Sequence, residues 1–196
     1  MVNSSGPREP AKAGQKNTMN DIILLAMPEE APNLVHKNNV FLTGVGKVNA
    51  AIRAATLIER YKHKRVFNFG TAGGIGVMPG KIYKCTYFSQ RDIILGGCLT
   101  GPQIDELHAP IKMGTDGVRL STGDNFVTDT YNIIADLVDM EAFAIAKACQ
   151  LANVEFICYK YVSDMADENA ADHFVDSVHK GEDYYIEILK EYGINL

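Results

Sequence analysis

Apolar positions fall in short continuous runs separated by amphipathic stretches, the alternation expected of strands and helices laid down in turn. Asp21-Ile22-Ile23-Leu24-Leu25-Ala26 is one such run and predicts a strand buried on both faces. Met27-Pro28-Glu29-Glu30 interrupts it, and a proline near a first turn predicts a helix opening there. A second strand is predicted over 39–43. Gly44-Val45-Gly46-Lys47 then leads into a helix with Val48, Ala51, Ile52, Ala55 and Ile58 on one face. A third strand over 65–69 ends in Gly70-Thr71-Ala72-Gly73-Gly74, read as a tight turn whose small residues let backbone approach a ligand. Strands are predicted over 81–89 and 93–95, and a loop over 97–116. The strand predicted over 118–126 closes in a turn presenting Phe126. An Ala-rich helix over 141–152 places Ala144, Ile145, Ala148 and Cys149 inward. A strand over 154–162, rich in β-branched and aromatic residues, follows it. The last helix, over 173–192, carries Phe174, Val178, Tyr185, Ile186 and Leu189 on one face, with Gly181 as a point of interruption.

Strands alternating with helices predict an α/β protein: one three-layer α/β/α domain over 19–196 around a largely parallel or mixed central sheet. Residues 1–18 are polar and aperiodic, the pattern of a disordered leader or an expression tag, with Met19 as the expected native start. In open α/β sheets ligands gather beyond the carboxyl ends of strands. Glu30, Thr71, Phe126 and Asp164 each fall just past a predicted strand. Asp139-Met140-Glu141 opens the Ala-rich helix, where the helix dipole favours acidic residues. That placement alone is ordinary charge complementation. Three acidic groups at strand ends or helix mouths, however, point to a site for a neutral, hydroxyl-rich substrate. Phe126 is either a buried aromatic or a ring that stacks on a heterocycle.

A chain of 196 residues with 46% hydrophobic content holds one domain with a real core. The net charge of −5, with no basic block, argues against a nucleic-acid partner or an anionic membrane surface. No apolar run is long enough to span a bilayer and no signal peptide is visible, so a cytoplasmic location is expected. Cys85, Cys98, Cys149 and Cys158 form no Cys-x-x-Cys pair and read as reduced core thiols. His36, His63, His108, His173 and His179 lack ligand spacing, so no metal is expected. Gly44-Val45-Gly46-Lys47 fails both phosphate motifs. Val48 follows the lysine where a Walker loop needs Ser or Thr, and Asn49 stands where a dinucleotide fingerprint needs glycine. No Gly-x-Ser-x-Gly elbow is present. Tyr83, Tyr87 and Tyr184 read as packing or surface residues.

Six short motifs occur in one order: Ala26-Met27-x-Glu29-Glu30, Thr43-Gly44-Val45-Gly46-Lys47-Val48, Gly70-Thr71-Ala72-Gly73-Gly74, Ser121-Thr122-Gly123-Asp124, Asp139-Met140-Glu141 and Ser163-Asp164. Together they resemble the 5′-methylthioadenosine/S-adenosylhomocysteine nucleosidases of the nucleoside phosphorylase superfamily, from Met19 to the C-terminus. The resemblance implies a nucleoside phosphorylase-like fold, a homodimer, no cofactor, and hydrolysis of a purine nucleoside at its N-glycosidic bond. It assigns Glu30 to activating the attacking water and Asp164, set by Ser163, to protonating the purine at N7. Glu141 would accept hydrogen bonds from the ribose hydroxyls while Met140 packs on the sugar. Phe126 would stack on the base and the Val127 backbone read its edge. Thr71, Ala72 and Gly73 would line the sugar and water site, with Met27 nearby. These residue types suit an oxocarbenium-like transition state, which needs an acid on the base side and a carboxylate on the sugar side.

Related phosphorylases hold phosphate with arginines, one a few residues before the Gly-Ser/Thr turn. Here Phe67, Asn68 and Phe69 lead to that turn, and 27–33 also lacks arginine, which favours water as the nucleophile. The chain departs from the family in being shorter around 90–117, where relatives form part of the 5′-alkylthio pocket and dimer contact. It departs again at Lys160 and Tyr161. The natural nucleoside therefore stays open among methylthioadenosine, S-adenosylhomocysteine and adenosine-like compounds. A phosphate-dependent phosphorylase and a non-enzymatic storage or binding relative remain the alternatives.

Overall fold

Along β1 (Asp21–Leu25) successive side chains enter different cores: Ile22 and Leu24 pack on one side of the sheet, Ile23 and Leu25 on the other. This two-sided burial is what a continuous apolar run requires, and each such side chain contributes ~1.5–3 kcal/mol. The computed structural model describes residues 21–62, 65–93 and 109–196. The leader over 1–18, the end of the strand predicted over 93–95, the 97–108 part of the predicted loop, Cys98, His63 and His108 lie outside the described residues.

Strand β1 pairs in parallel with β2 (Val40–Leu42) and β3 (Arg65–Asn68), and β3 pairs in parallel with β9 (Glu155–Asp164). The upper half of β9 runs beside β4 (Thr71–Gly74), which is antiparallel to β8 (Leu137–Asp139). Strand β8 is parallel to β7 (Val118–Thr122), and β7 to β5 (Ile82–Gln90). Short β6 (Ile111–Lys112) lies antiparallel at the edge. Strand β5 also pairs antiparallel with β9, so β9, β4, β8, β7 and β5 close into a small barrel. The sheet is mixed. Helices α1 (Lys47–Tyr61) and α2 (Ala142–Ala152) cover one face, and α4 (Glu182–Glu191) covers the other through Tyr185, Ile188 and Leu189. Helix α3 (Ala170–Ser177) packs against β9.

Several local expectations are corrected. Pro28–Glu30 makes one 3₁₀ turn rather than opening a longer helix, because the Glu30 carboxylate folds back onto the Ala26 and Met27 N–H groups. Residues 71–74 are a strand, not a βα turn; they pair with both β8 and β9. Strand β9 extends through Ser163 and Asp164, so Asp164 ends a strand and Thr71 begins one. Asp139 also belongs to a strand, and helix α2 begins only after Glu141. Residues 111–112, expected as loop, pair with β5, and β7 stops at Thr122, before the turn that presents Phe126.

The face of α1 is also different. Ile58 points inward as expected and Ala51 packs against the core, but Ala50, Ala54 and Leu57 make the rest of the inward stripe, whereas Val48 and Ile52 are 68% and 63% exposed. Both stripes satisfy a 3.6-residue period, and the small one wins because alanines let α1 approach α2 closely. The C-terminal helix divides at Gly181, where a β-carbon would lie 2.3 Å from the Tyr185 hydroxyl oxygen.

Candidate active site

The expected site residues come from five separate segments, and the barrel end brings them together. Met27, Glu30, Thr71, Ala72, Gly73, Phe126, Val127, Met140, Glu141, Ser163 and Asp164 all line one cleft of about 240 Å³. Ala26, Val45, Arg91, Asn125, Val138, Asp139 and Phe174 complete its walls.

Glu30 lies at the cleft floor, 3% exposed, and its carboxylate is held by its own loop and by β4. Oε2 accepts from the Ala26 and Met27 N–H groups at 2.8 and 3.2 Å. Oε1 accepts from the Thr71 N–H at 2.9 Å and the Thr71 hydroxyl at 3.2 Å. Gly70 makes this approach possible. Its φ is +149°, and a β-carbon there would sit 2.7 Å from Glu30 Oε1. Beneath it, the buried Tyr185 hydroxyl donates to the Gly70 carbonyl at 2.9 Å.

Asp164 is fixed at the opposite wall. The Ser163 hydroxyl donates to Oδ2 at 2.6 Å, and the Ala166 N–H donates to Oδ1 at 2.9 Å. A register shift between Ala72 and Gly73 places Gly73 opposite Asp164, where a β-carbon would come within 3.0 Å of Oδ1. The Ser177 hydroxyl donates to the Ser163 carbonyl at 3.0 Å, tying α3 to this end of β9.

The Asp139-Met140-Glu141 triplet divides its labour. Asp139 Oδ2 accepts from the Ala142 N–H at 2.8 Å, and the Thr122 hydroxyl oxygen accepts from the Phe143 N–H at 2.9 Å. These two side chains satisfy the first free N–H groups of α2. Glu141 occupies the N-cap position yet makes no capping bond. Its carboxylate instead reaches the cleft, accepting from the Gly46 N–H at 2.9 Å. Burial pushes the Glu141 carboxyl up to about 7, and the nearby Asp139 charge adds to that shift. The Gly44-Val45-Gly46-Lys47 turn, which fits neither phosphate motif, thus serves as a donor to a cleft carboxylate.

The aromatic wall is Phe126, 46% exposed, meeting Phe174 of α3 edge-on with ring centroids 6.1 Å apart. A partly open ring beside a cleft is suited to stacking on a planar ligand. Arg91 was not singled out by any spacing in the sequence. Its Nη1 donates to the Ser121 and Asp139 carbonyls at 2.6 and 2.9 Å, and its Nη2 to those of Gly123 and Asn125 at 3.2 and 2.7 Å. One side chain therefore braces the Phe126 turn against the end of β8. Asn68, one of the three residues leading to the Thr71 strand, is buried and donates to the Leu24 and Phe69 carbonyls. Among the described residues no group of three or more His, Cys, Asp or Glu side chains is arranged to hold a metal ion. Nor is any described helix long and apolar enough to cross a membrane.

The comparisons with known proteins concern the family and the fold. The family model of the phosphorylase superfamily matches residues 33–110 and 100–192. The 5′-methylthioadenosine/S-adenosylhomocysteine nucleosidase of Bacillus thuringiensis (strain Al Hakam) is 27% identical, with 80% of this chain and 82% of that protein covered. The nucleosidase of the same name from Bacillus cereus (strain AH187) is similar to the same extent. Among solved structures, a futalosine hydrolase mutant of Helicobacter pylori superposes with a TM-score of 0.77 at 19% identity, covering 87% of this chain and 96% of that one. The Neisseria meningitidis nucleosidase in complex with methylthio-immucillin-A gives 0.71 at 22% identity, covering 84% and 94%. These structural likenesses concern the fold, which is that of a nucleoside phosphorylase-like α/β protein with a mixed central sheet. By the family match across most of its length, this chain belongs to the phosphorylase superfamily.

Proposed function

We propose that the protein is a purine nucleosidase that hydrolyses the N-glycosidic bond of a methylthioadenosine-, S-adenosylhomocysteine- or adenosine-like substrate. The observation that carries this reading is the convergence of three separately held carboxylates, Glu30, Glu141 and Asp164, on one cleft beside an open phenyl ring. The curated relatives bearing that nucleosidase name support it.

In this mechanism the base stacks on Phe126 and meets the Val127 backbone, while Glu141 accepts hydrogen bonds from the 2′- and 3′-hydroxyls and Met140 packs on the sugar. Asp164 delivers its proton to purine N7 as the C1′–N9 bond breaks, with Ser163 orienting it. Water near Thr71, Ala72 and Gly73 then bonds to C1′ and yields its proton to Glu30, with Met27 closing the wall. The Thr71 hydroxyl is the donor that can turn away from Glu30 Oε1 and free it for that proton. Free base and free sugar result, with no cofactor or metal taking part.

Water is preferred to phosphate because a phosphate dianion needs free cationic donors. Arg91 is the cation that lines the cleft among the described residues, and both its Nη groups are committed to backbone carbonyls. Base release from methylthioadenosine, S-adenosylhomocysteine, adenosine and futalosine, each with and without phosphate, tests the reading. Free sugar in phosphate-free buffer is expected. Release only with phosphate, yielding a sugar 1-phosphate, would replace it with phosphorolysis. Binding without release from any of the four would favour a storage or binding relative.

The same reading makes residues 19–196 one catalytic domain acting as a cytoplasmic enzyme of nucleoside metabolism and methionine salvage, with no nucleic-acid partner. Buried, free Cys85, Cys149 and Cys158 support a reducing compartment. We also propose a homodimer. Exposed Val48 and Leu151 line an apolar groove between α1 and α2, with Ile52 exposed on the next turn of α1, and a second copy would cover them. Sedimentation of a Val48→Asp/Leu151→Asp variant as monomer, against a dimeric parent, is the expected result.

A further inference from the structure

Lys160 lies in the middle of β9 with its side chain 1% exposed, and its Nζ is 3.0 Å from Asp139 Oδ2, which is equally buried. Replacing a buried ion pair with apolar residues is often neutral or stabilising, so its stability value alone explains little. Lys160 does not line the cleft. Its partner Asp139 does line it. Asp139 accepts from the Thr122 hydroxyl at 2.6 Å through Oδ1 and from the Ala142 N–H through Oδ2. These side-chain contacts join β7, β9 and the first turn of α2 to Asp139, two residues before Glu141.

We infer that the Lys160–Asp139 pair is a positioning device for Glu141. Held by Lys160, Asp139 caps α2 in place of the N-cap residue and leaves the Glu141 carboxylate free to face the sugar. Without that hold, Glu141 is the nearest carboxylate able to swing back and cap α2 itself, since Asp and Glu near a helix start compete for the same N–H groups. The inference rests on the assignment of Glu141 to the sugar diol.

The charged groups facing Glu141 are Asp139 of β8, Lys160 of β9, Glu30 of the 3₁₀ turn and Arg91 after β5. Lys160 favours the ionised form of Glu141, whereas Asp139 and Glu30 disfavour it. Removing the lysine charge alone moves the acidic limb of the Glu141-dependent profile to higher pH, and removing both charges of the pair brings it back.

The test compares kcat/KM for base release from a ribonucleoside and from its 2′-deoxy and 3′-deoxy counterparts. It uses the wild type, Lys160→Met, Lys160→Arg and the Lys160→Met/Asp139→Asn double variant. Misplacing a substrate-positioning group by about 1 Å costs on the order of a hundredfold, so Lys160→Met should lose roughly tenfold or more on the ribonucleoside. The deoxynucleosides should change far less, Lys160→Arg should restore the preference, and the acidic limb should shift as described. The double variant, which leaves no unpaired buried charge, carries the comparison if Lys160→Met unfolds. Ribo- and deoxynucleosides falling together, or a preference unchanged in both Lys160→Met and the double variant, would overturn the positioning role. Equal release from ribo- and deoxynucleosides by the wild type would overturn instead the assignment of Glu141 to the diol.

Discussion

The Ser163 hydroxyl donates to Asp164 Oδ2 at 2.6 Å, and the same two residues close the strand that also carries Lys160. The carboxylate is aimed by its chain neighbour and by the Ala166 N–H, so its direction is set within four residues of sequence. In the proposed mechanism its consequence is catalytic more than structural.

Asp164→Asn should keep the fold and lower kcat by a hundredfold or more, within the ~10²–10⁴ range of general acid catalysis, because an amide has no proton to give. Ser163→Ala removes the hydrogen bond that orients the Asp164 carboxyl, worth ~0.5–1.5 kcal/mol, and should cost up to roughly tenfold in kcat with KM little changed. Steady-state kinetics alongside a thermal melt check both. Full activity in Asp164→Asn would remove this residue from the acid role.

Glu30 depends on the space left by Gly70. Gly70→Ala puts a β-carbon 2.7 Å from Glu30 Oε1 at a φ of +149°, where only glycine is relaxed. The strain, about 1–3 kcal/mol, should lower Tm and displace the carboxylate. Turnover should fall in parallel with Glu30→Gln, which is expected to bind nucleoside but not hydrolyse it. A Gly70→Ala enzyme with wild-type kcat would show that Glu30 does not need this position.

Glu141 connects pH to both stability and binding. Its carboxyl is raised to about 7 in the folded chain from an ordinary value of 4.5, so the folded state holds that proton more tightly than the unfolded one. The associated stability is fully present below the unfolded value and is lost as pH rises through about 7. Glu141→Gln should abolish that part of the pH dependence and melt higher than the parent at pH 8. In the parent, kcat/KM should rise with pH through the same region, because the ionised form accepts the sugar hydroxyls. Melts and rate profiles between pH 5 and pH 9 (about two units either side of neutrality) would read both; an unchanged melt profile in Glu141→Gln would assign the titration elsewhere.

Arg91 is the keystone between the aromatic turn and the end of β8. Arg91→Lys retains the charge but cannot present two planar Nη donors to carbonyls of two separate segments. A loss of ~2–4 kcal/mol in stability is expected from several broken charge-assisted bonds, with KM raised because Phe126 loses its brace. Denaturant unfolding and KM measured together would separate the two effects. A stable Arg91→Lys with normal KM would show that the turn holds itself.

Much of the site was readable in the chain because its chemistry is carried by short contiguous motifs. Glu30 bonds residues three and four before it and Asp164 the residues beside it, while Asp139 and Glu141 share one turn. The buried β1 and β9 runs were equally plain, since burial on both faces requires continuous apolar residues. What the sequence by itself determined was therefore the α/β class and the set of carboxylates.

Tertiary structure decided the rest, because the rest depends on partners far away in the chain. Strands β4 and β8 are too short to show a period, and they exist only because β9 and β7 pair with them. The inward face of α1 was settled by close packing on α2, with two stripes of equal period competing. Arg91 and Lys160 carry no local signature. One meets carbonyls 30 to 48 residues away, and the other meets a carboxylate on a strand that periodicity does not reveal. Motifs state which groups are present; only closure of the barrel determines which of them share one cleft.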